Sequence, residues 1–411
     1  MLLISAELVL PITRPPIANG AVLVSGRRFR EIGARTALKQ KYPEAEELHH
    51  QLLMPGLVNA HTHIELSGLP LLAPQKSFTD WLIQIIEQKL ALDPAGIERE
   101  ARLALKNALA LGITSLGDIV SLPVVLGAHQ QGKLFSTVFF ELTGMRDKDV
   151  QSRISQAKSV LGKHNFRLGN SRFGISPHAP YSASLTLFQA AKQMAEKHGL
   201  GVCTHLAETR EEDDFIRSGS GPILKRLYPL VGWSRLKPAP SLVSPAQYLA
   251  QFIDRNLTLV HCVEISEDDL EIISRSRAVV HCPRSNLNLT GKLSPVPKML
   301  RSGVKVALGT DSPASAGDPN LWNEMKKVLE LRKEYPGGEI KPSEILEMAT
   351  INGGRAIFRE HELGSLEPGK IANLLALKIG YLSADTEKTA SSIIQSGPTE
   401  IEAVYLAGKR V

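Results

Sequence analysis

A pair of histidines at the end of an apolar run is the first feature of this sequence that could do chemistry. Residues 52–63 read Leu-Leu-Met-Pro-Gly-Leu-Val-Asn-Ala-His-Thr-His, so His61 and His63 are separated by one residue. Side chains two residues apart on a strand point to the same face. Two imidazoles that project together provide half of the ligands of a four-coordinate metal site. The alternative is a pair of surface histidines that flank a turn.

Two further residues could complete such a site, because each also closes an apolar run. His205 follows residues 201–204, and Asp311 follows residues 306–310. With the histidine pair they supply three imidazoles and one carboxylate. This set suits zinc, with iron or manganese as alternatives, and leaves a position for water. Taken singly, His205 could be a hydrogen-bonded core residue, and the Asp-Ser-Pro sequence that begins at Asp311 could be a helix N-cap.

An acidic residue three positions after His205 is a candidate for proton transfer. Glu208 heads a series of carboxylates that continues at residues 211–214. The later residues of the series are predicted to form a solvated face. Glu208 could belong to the same surface, but its closeness to a candidate ligand favours a proton shuttle.

The elements that would position these residues form a regular series. Eight strand-like runs are predicted, with helical patterns between most of them, at residues 57–63, 112–118, 135–142, 173–178, 201–208, 257–262, 278–282 and 305–311. Alternating strands and helices of this kind predict an α/β fold, a (β/α)₈ TIM barrel. Functional residues of such barrels lie at the C-terminal ends of the strands, where this sequence places six of its 12 histidines.

The two ends of the chain are β-like and are expected to pair in one small composite β-sandwich beside the barrel. The predicted domains are the two parts of the sandwich and the metal-dependent barrel between them, at residues 1–54, 363–411 and 55–362. Residues 219–245 contain several prolines and glycines and have no clear periodicity. They are interpreted as an insertion after the fifth strand that overhangs the site.

Composition and charge limit the classes of partner. The 411 residues are 43% apolar and carry a net charge of +6, with Lys and Arg scattered along the chain, so no nucleic-acid partner is expected. No apolar stretch approaches the ~20 residues of a membrane span, and no membrane partner is expected. The first ten residues resemble a strand more than a signal peptide. Three cysteines without paired spacing indicate a reducing compartment and a cytoplasmic location.

Several motifs together resemble the amidohydrolase superfamily, in the branch of cytosine, adenosine and guanine deaminases with their S-adenosylhomocysteine deaminase and s-triazine chlorohydrolase relatives. The motifs are Pro-Gly-Leu-Val-Asn-Ala-His-Thr-His at 55–63, His-Leu-Ala-Glu at 205–208, His261, Gly-Thr-Asp-Ser at 309–312 and Gly-Ser-Leu-Glu-Pro-Gly-Lys-Ile-Ala at 364–372. They follow the family order over essentially the whole chain. The family usually has Asp after the last of these motifs, where this sequence has Asn373.

The resemblance implies a metal site and a catalytic pair. One divalent metal is expected, bound by His61, His63, His205 and Asp311. Two-metal branches place a bridging lysine at the end of the fourth strand, and the absence of a lysine there in this sequence favours one metal. The implied catalytic residues are Glu208 and His261, together with the ligand Asp311.

The resemblance also implies contacts with a small-molecule substrate. His178, in Ser-Pro-His-Ala-Pro-Tyr-Ser at 176–182, corresponds to a histidine that touches substrate. Trp81 lies where relatives have an aromatic lid residue, although it could equally be a core residue on a helix face. Arg146 could pair with a substrate carboxylate. The alternative for Arg146 is a solvated loop arginine.

The implied activity is hydrolytic deamination of a 6-aminopurine nucleoside with release of ammonia, by an enzyme that is usually a homodimer. In that chemistry Asp311 takes a proton from the attacking water and His261 orients the water. Glu208 protonates the ring nitrogen and later passes a proton to the departing ammonia. Because simple amide hydrolysis needs no donor to a ring nitrogen, Glu208 favours a deaminase.

The leading substrate follows from a second resemblance. Residues 221–245 are similar to the insertion of the aminofutalosine deaminase branch, which implies 6-amino-6-deoxyfutalosine and a role in menaquinone biosynthesis. The alternatives are S-adenosylhomocysteine, methylthioadenosine or adenosine, then guanine or cytosine. An s-triazine-type chlorohydrolase would use the same residues with chloride leaving. A non-catalytic scaffold is a remote alternative, since such proteins normally lose the ligands that are present here.

Overall fold

The computed structural model describes residues 1–72, 77–383 and 385–411. Its strands, in chain order, are β1 (Leu2–Val9), β2 (Ile17–Ser25), β3 (Arg28–Ala34), β4 (Glu46–Pro55), β5 (Leu57–Thr62), β6 (Ile113–Val120), β7 (Thr137–Leu142), β8 (Arg167–Leu168), β9 (Ser171–Pro177), β10 (Gly201–Leu206), β11 (Leu257–His261), β12 (Ala278–His281), β13 (Val306–Leu308), β14 (Leu374–Leu377), β15 (Ile401–Leu406) and β16 (Lys409–Arg410).

The α-helices alternate with the strands over most of the chain. They are α1 (Arg35–Lys41), α2 (Phe78–Ala91), α3 (Pro94–Ala110), α4 (Leu126–Gln131), α5 (Asp147–Lys163), α6 (Leu185–His198), α7 (Arg210–Ser218), α8 (Tyr228–Leu230), α9 (Pro245–Tyr248), α10 (Glu267–Ser274), α11 (Pro283–Thr290), α12 (Val296–Arg301), α13 (Pro313–Ala316), α14 (Leu321–Leu331), α15 (Pro342–Met348), α16 (Ile351–Ala356) and α17 (Thr386–Ser396). Short 3₁₀ segments lie at Ile64–Leu66, Pro123–Val125 and Gly397–Glu400, and a π-helical turn lies at Ile223–Leu227. None of the described helices combines the length and the apolar character needed to cross a membrane.

Eight parallel strands form the barrel, in the order β5-β6-β7-β9-β10-β11-β12-β13, and β8 is a short antiparallel partner of β9. The first and last strands meet, because the backbone N–H groups of Thr310 and Asp311 both donate to the carbonyl of His61 at 3.0 Å. Thr62 and Asp311 also form a parallel bridge. The predicted TIM barrel is therefore confirmed.

The barrel strands are almost continuously buried, because one face lines the barrel interior and the other packs against helices. Every residue of β5, β6, β10 and β11 is buried. Helix α3 shows the matching pattern, with buried residues at 97, 101, 104, 105 and 108 on one face. Its first turn is capped by Asp93, whose side chain accepts a hydrogen bond from the N–H of Gly96.

Both ends of the chain build the small β-rich unit. Its seven strands form one mixed sheet in the order β16-β15-β14-β4-β1-β2-β3. The C-terminal part joins the N-terminal part where β14 pairs antiparallel with β4, with Leu374 opposite Pro55. The polypeptide passes from this sheet into the barrel at Gly56, between β4 and β5. The domain boundaries after residues 54 and 362 stay a prediction.

A separate hydrophobic cluster contains side chains from α2, from α7 and from the segment that follows α7. Its largest members are Phe78, Trp81, Phe215, Tyr228 and Trp233, together with Tyr181 from the loop after β9. The segment at 219–245, interpreted as an insertion, therefore packs against α2. This packing holds α2 beside the ends of the barrel strands.

Candidate active site

The histidine pair lies at the end of β5, where the strand is irregular. Between Asn59 and Thr62, β5 has one residue more than β6 opposite it, which is a β-bulge. The rings of His61 and His63 lie with their centroids 4.9 Å apart. The neighbouring strand can approach only because residue 309 is glycine, since a Cβ at Gly309 would lie 2.7 Å from the Cβ of His61.

His205, near the end of β10, completes a group of three imidazoles. Its ring centroid lies 4.9 Å from that of His61 and 5.5 Å from that of His63. The Nδ1 of His205 lies 3.1 Å from the backbone carbonyl of His178. Because a carbonyl can only accept, Nδ1 carries the proton, and the lone pair of His205 is on Nε2, which is available to a ligand.

Asp311 follows β13 and brings a carboxylate to the same place. Its Oδ1 lies 3.6 Å from Nε2 of His61 and 3.4 Å from Nε2 of His63. Its Oδ2 accepts hydrogen bonds from Ser285 Oγ at 2.6 Å and from Ser315 Oγ at 2.9 Å. Its φ of 59° is in the left-handed region that non-glycine residues rarely adopt, and such backbone strain is concentrated at functional sites.

The burial of these residues fits a metal site. Both ring nitrogens of His61 are buried and have no hydrogen-bond partner among the described residues, although buried polar atoms are almost always paired. The ligand atoms of His61, His63 and His205 all lie within 4.8 Å of one another. The donor set of imidazole nitrogens and carboxylate oxygens suits a divalent transition metal.

The electrostatics agree with ligation. Burial lowers the pKa of His61, His63 and His205, so the imidazoles are neutral, as metal ligands must be. Burial alone raises the pKa of Asp311, but the imidazole of His61, followed by those of His63 and His261, holds that pKa well below its usual value. Asp311 is therefore an anion at neutral pH.

Glu208, just beyond β10, is buried and faces His261. Its Oε1 lies 3.6 Å from Nε2 of His261. Burial raises the pKa of Glu208 well above its usual value, and the negative charge of Asp311 raises it further. Burial therefore favours the protonated form of this carboxyl, which is the form that donates a proton.

His261 is the last residue of β11 and has a φ of 71°. Its Nδ1 lies 2.8 Å from Oδ1 of Asn286, an acceptor, so the lone pair is on Nε2, on the side of Glu208. Burial lowers the pKa of His261 and keeps the ring neutral. Behind it, His281 contacts Asn286 and the hydroxyl of Tyr335.

A cavity of about 370 Å³ opens above these groups. The three residues predicted to contact substrate, Trp81, Arg146 and His178, all line it. His63, His205, Glu208, His261 and Asp311 line it as well, so the cavity and the candidate metal site are continuous.

His178 forms a pair with Glu141 beside the candidate ligands. Its Nε2 lies 3.9 Å from Oε1 of Glu141, and its Nδ1 lies 2.6 Å from Oγ of Ser182. Burial raises the pKa of Glu141 to about 7, partly offset by the positive charge of Lys89, and burial lowers the pKa of His178 to about 4.

Several residues that line the cavity were not among the predicted site residues, among them Lys89, Tyr181 and Trp233. Lys89 forms a close ion pair with the buried Glu65. A signal for Lys89 existed, since it lies eight residues after Trp81 on the same face of α2. Trp233, from the segment at 219–245, had no signal, because the contact depends on how that segment packs.

The prediction that residues 211–214 form a solvated face is wrong for part of the run. Glu212 and Asp213 are buried, and Glu211 is partly buried. Asp214 is also only partly buried, and its side chain keeps 48% exposure. The run forms the first turns of α7, whose N-terminus points into the protein, so three of its carboxylates meet backbone donors or an arginine.

Comparison with known proteins identifies the family. A model described as the amidohydrolase family matches residues 52–411. The chain belongs to the amidohydrolase family. The family resemblance read from the motifs, and the expectation of a hydrolase of this family, are confirmed.

Similar proteins extend over nearly the whole chain. A 5-methylthioadenosine/S-adenosylhomocysteine deaminase of Syntrophomonas wolfei is 28% identical over 407 residues, which are 96% of this chain and 89% of the relative. The structure of Helicobacter pylori aminofutalosine deaminase in complex with methylthio-coformycin has a TM-score of 0.85 and 22% identity, and all of both chains is covered. An adenosine deaminase of Xanthomonas campestris with bound zinc has a TM-score of 0.79 and 24% identity, covering 100% of this chain and 92% of that one. The structural likenesses show that this amidohydrolase shares their fold.

Proposed function

We propose that this amidohydrolase is a metal-dependent hydrolytic deaminase of a 6-aminopurine nucleoside. The observation that carries the proposal is Glu208, a buried carboxyl with a raised pKa that lines the same cavity as His63, His205 and Asp311. Attack of water on a ring carbon that bears an amino group requires a proton on the adjacent ring nitrogen, and Glu208 is placed to supply it. Relatives named as adenosine-type deaminases support the same class.

The residues that would hold the metal are His61, His63, His205 and Asp311, and we propose one zinc ion. A bound divalent metal would lower the pKa of a coordinated water to about 7. The neutral imidazoles and the anionic carboxylate are already in the protonation states that ligation needs.

The protein side chains would then move the protons. Oδ1 of Asp311 would take the proton of the attacking water, since Oδ2 already accepts two serine hydroxyls. His261, with its lone pair on Nε2, would accept a hydrogen bond from the water and so orient it. Glu208 would protonate the ring nitrogen, the carbon–oxygen bond would form, and the carbon–nitrogen bond would break. The proton that Asp311 took would then pass by way of the Glu208 carboxylate to the amino group, which leaves as ammonia, and the hydroxyl proton of the new carbon–oxygen group would return Glu208 to its protonated form.

Cationic side chains on the cavity wall suggest a substrate with an anionic group. Arg146, Arg153 and Lys89 all line the cavity. Arg146 is ion-paired with Asp149 at 2.5 Å, and its side chain keeps 41% of its exposure, so it can still meet a ligand. We propose 6-amino-6-deoxyfutalosine, which carries a carboxylate, as the leading substrate, which would place the enzyme in menaquinone biosynthesis. S-adenosylhomocysteine, favoured by the names of the sequence relatives, is the second candidate.

Two further residues are proposed to contact the purine nucleoside. The indole Nε1 of Trp81 is buried and has no acceptor among the described residues, so it can donate to substrate. His178 lines the cavity next to His205, with ring centroids 4.8 Å apart.

We also propose a cytoplasmic homodimer without nucleic-acid or membrane partners. The three buried free thiols suit a reducing compartment.

A substrate panel tests the proposal. The zinc-loaded protein is incubated with aminofutalosine, S-adenosylhomocysteine, methylthioadenosine, adenosine, guanine and cytosine, and ammonia release is measured. Fast release from aminofutalosine supports the leading substrate, and preference for the sulfur nucleosides supports the second. No release from any of the six by protein with bound metal would refute the deaminase and favour chlorohydrolase or amide substrates.

A further inference from the structure

Helix α7 carries two adjacent carboxylates, Glu211 and Glu212, that do not line the cavity. Each accepts hydrogen bonds from a different segment that borders the site. Glu211 accepts from the N–H of Phe78 at 2.9 Å, the N–H of Thr79 at 3.0 Å and Oγ1 of Thr79 at 2.5 Å. Glu212 accepts from the N–H groups of Ala207 and Glu208 at 3.0 and 2.9 Å. The two side chains thus reach in different directions from one helical turn.

The contacts of Glu212 fix the backbone that carries Glu208. Ala207 has a φ of 51°, in the left-handed region, so this turn needs support. Glu212 is fully buried and gives one carboxylate oxygen to each of the two N–H groups. The carbonyl of Ala207 in turn accepts from Val263 and Glu264, each at 2.8 Å, in the loop after His261. The position of the Glu208 side chain opposite His261 follows from this support.

The contacts of Glu211 fix the start of α2. The first N–H groups of a helix have no partner within the helix, and an anion at this end is favoured by the helix dipole. The N-cap residue Ser77 accepts from the N–H of Asp80. Glu211 accepts from the two N–H groups before it, so the first turn of α2 is held by α7.

Helix α2 supplies much of the wall that a substrate would touch. Its residues in the cavity are Phe78, Trp81, Leu82, Ile85, Ile86 and Lys89. A small shift of α2 would therefore change the shape of the pocket, and it would leave Glu208 and His261 in place.

We propose that α7 is a positioning element for two separate parts of the reaction. Glu212 holds the proton donor Glu208 in line with His261, and Glu211 holds the substrate-contacting helix α2. The expected effects on kcat and KM rest on the proposed function, whereas the structural support that α7 gives to the Ala207–Glu208 turn and to α2 does not. Removing the contacts of Glu212 lowers the rate of the chemical step, and removing those of Glu211 weakens substrate binding.

The test uses three isosteric variants of the full-length, metal-loaded protein: Glu212→Gln, Glu211→Gln and the control Asp214→Asn. Asp214 lies on the same helix, its side chain is 48% exposed, and it pairs with Arg210 at the surface. A glutamine offers one acceptor oxygen, and its amide group cannot accept the second N–H. We expect Glu212→Gln to lower kcat at least tenfold with KM within threefold. We expect Glu211→Gln to raise KM at least fivefold with kcat within threefold, and the control to match the native enzyme.

Amide hydrogen exchange provides a readout that does not depend on turnover. The peptide with residues 77–80 should exchange faster in Glu211→Gln only, and the peptide with residues 207–208 should exchange faster in Glu212→Gln only. Equal bound metal in all variants shows that the barrel is intact. If Glu212→Gln does not fold, Glu212→Asp, which keeps both carboxyl oxygens but has a shorter side chain, replaces it with the same expectations.

The outcomes separate the two proposals. Equal effects of the two variants on kcat and KM, or faster exchange of both peptides in both variants, would overturn the role of α7. If the variants show the expected exchange pattern but the native protein releases ammonia from none of the six compounds, the proposed function is refuted and the positioning role of α7 remains supported.

Discussion

Replacing Glu208 with glutamine tests the proton donor. Glutamine has the shape of a protonated glutamate and no charge, so the substitution removes the transferable proton and changes little else. Because burial raises the pKa of Glu208 well above its usual value, the neutral form of the carboxyl is favoured, and glutamine reproduces that form in the buried site. The melting temperature and bound metal of Glu208→Gln are therefore expected to match those of the native protein.

The effect on rate should be large. A positioned general acid contributes about 10² to 10⁴ in rate, which corresponds to about 3 to 5 kcal/mol of activation free energy. Glu208 is 6% exposed and its Oε1 lies 3.6 Å from His261, so bulk water is a poor substitute as donor. We expect kcat to fall at least a hundredfold while KM stays within threefold.

The assay is steady-state ammonia release with the best substrate of the panel. Glu271→Gln, the same change at an exposed position on α10, is the control and should retain native activity. A Glu208→Gln enzyme that keeps more than a tenth of native kcat, with native metal content, would refute the reasoning.

Three other predictions concern the ligands, the substrate tail and stability. Gly309→Ala places a Cβ 2.7 Å from the Cβ of His61, so it should lower the free energy of unfolding by about 1 to 3 kcal/mol and reduce the amount of bound metal, as measured by melting and elemental analysis. The control Gly162→Ala, whose Cβ meets no atom within 4 Å, should lower neither. Native metal binding by Gly309→Ala would contradict this prediction. Arg146→Ala should raise KM threefold to tenfold for carboxylate-bearing nucleosides and leave adenosine unchanged; an equal rise for both would exclude the charge contact. Burial raises the pKa of Glu324 to about 8, so the folded state holds a proton that the unfolded state releases above about pH 4.5. Its stabilisation is present below that pH and is lost as pH rises towards 8, by up to about 1.4 kcal/mol per pH unit, and Glu324→Gln should flatten this slope in denaturant titrations; an unchanged slope would contradict it.

The barrel and the candidate ligands could be read from the sequence because local patterns encode them. The spacing of His61 and His63 follows the two-residue period of a strand, and His205 and Asp311 each close an apolar run, so parallel strands bring all four to one edge. In the structure His61 lies against the other three, which line one cavity with Glu208 and His261, while the roles of these six residues remain predictions. The bulge in β5 could not be read, because it depends on pairing with β6.

The surroundings of the site could not be predicted from the sequence, because they depend on contacts between distant segments. The carboxylates of Glu211 and Glu212 resembled a solvated run, since nothing local shows that α2 and the turn at Ala207 present unpaired N–H groups to them. The pairing of the two chain ends was expected from their similar composition. The register of β14 on β4 is set by the fold of the intervening barrel.

The most direct test of the central claim is a metal titration of the metal-free protein, with ammonia release from aminofutalosine and S-adenosylhomocysteine measured at each step. We predict that activity on at least one of them rises in proportion to added zinc and levels off at one equivalent. His61→Ala should abolish both the binding and the activity. Tight binding of one zinc without ammonia release from either nucleoside, or equal release without metal, would contradict the account.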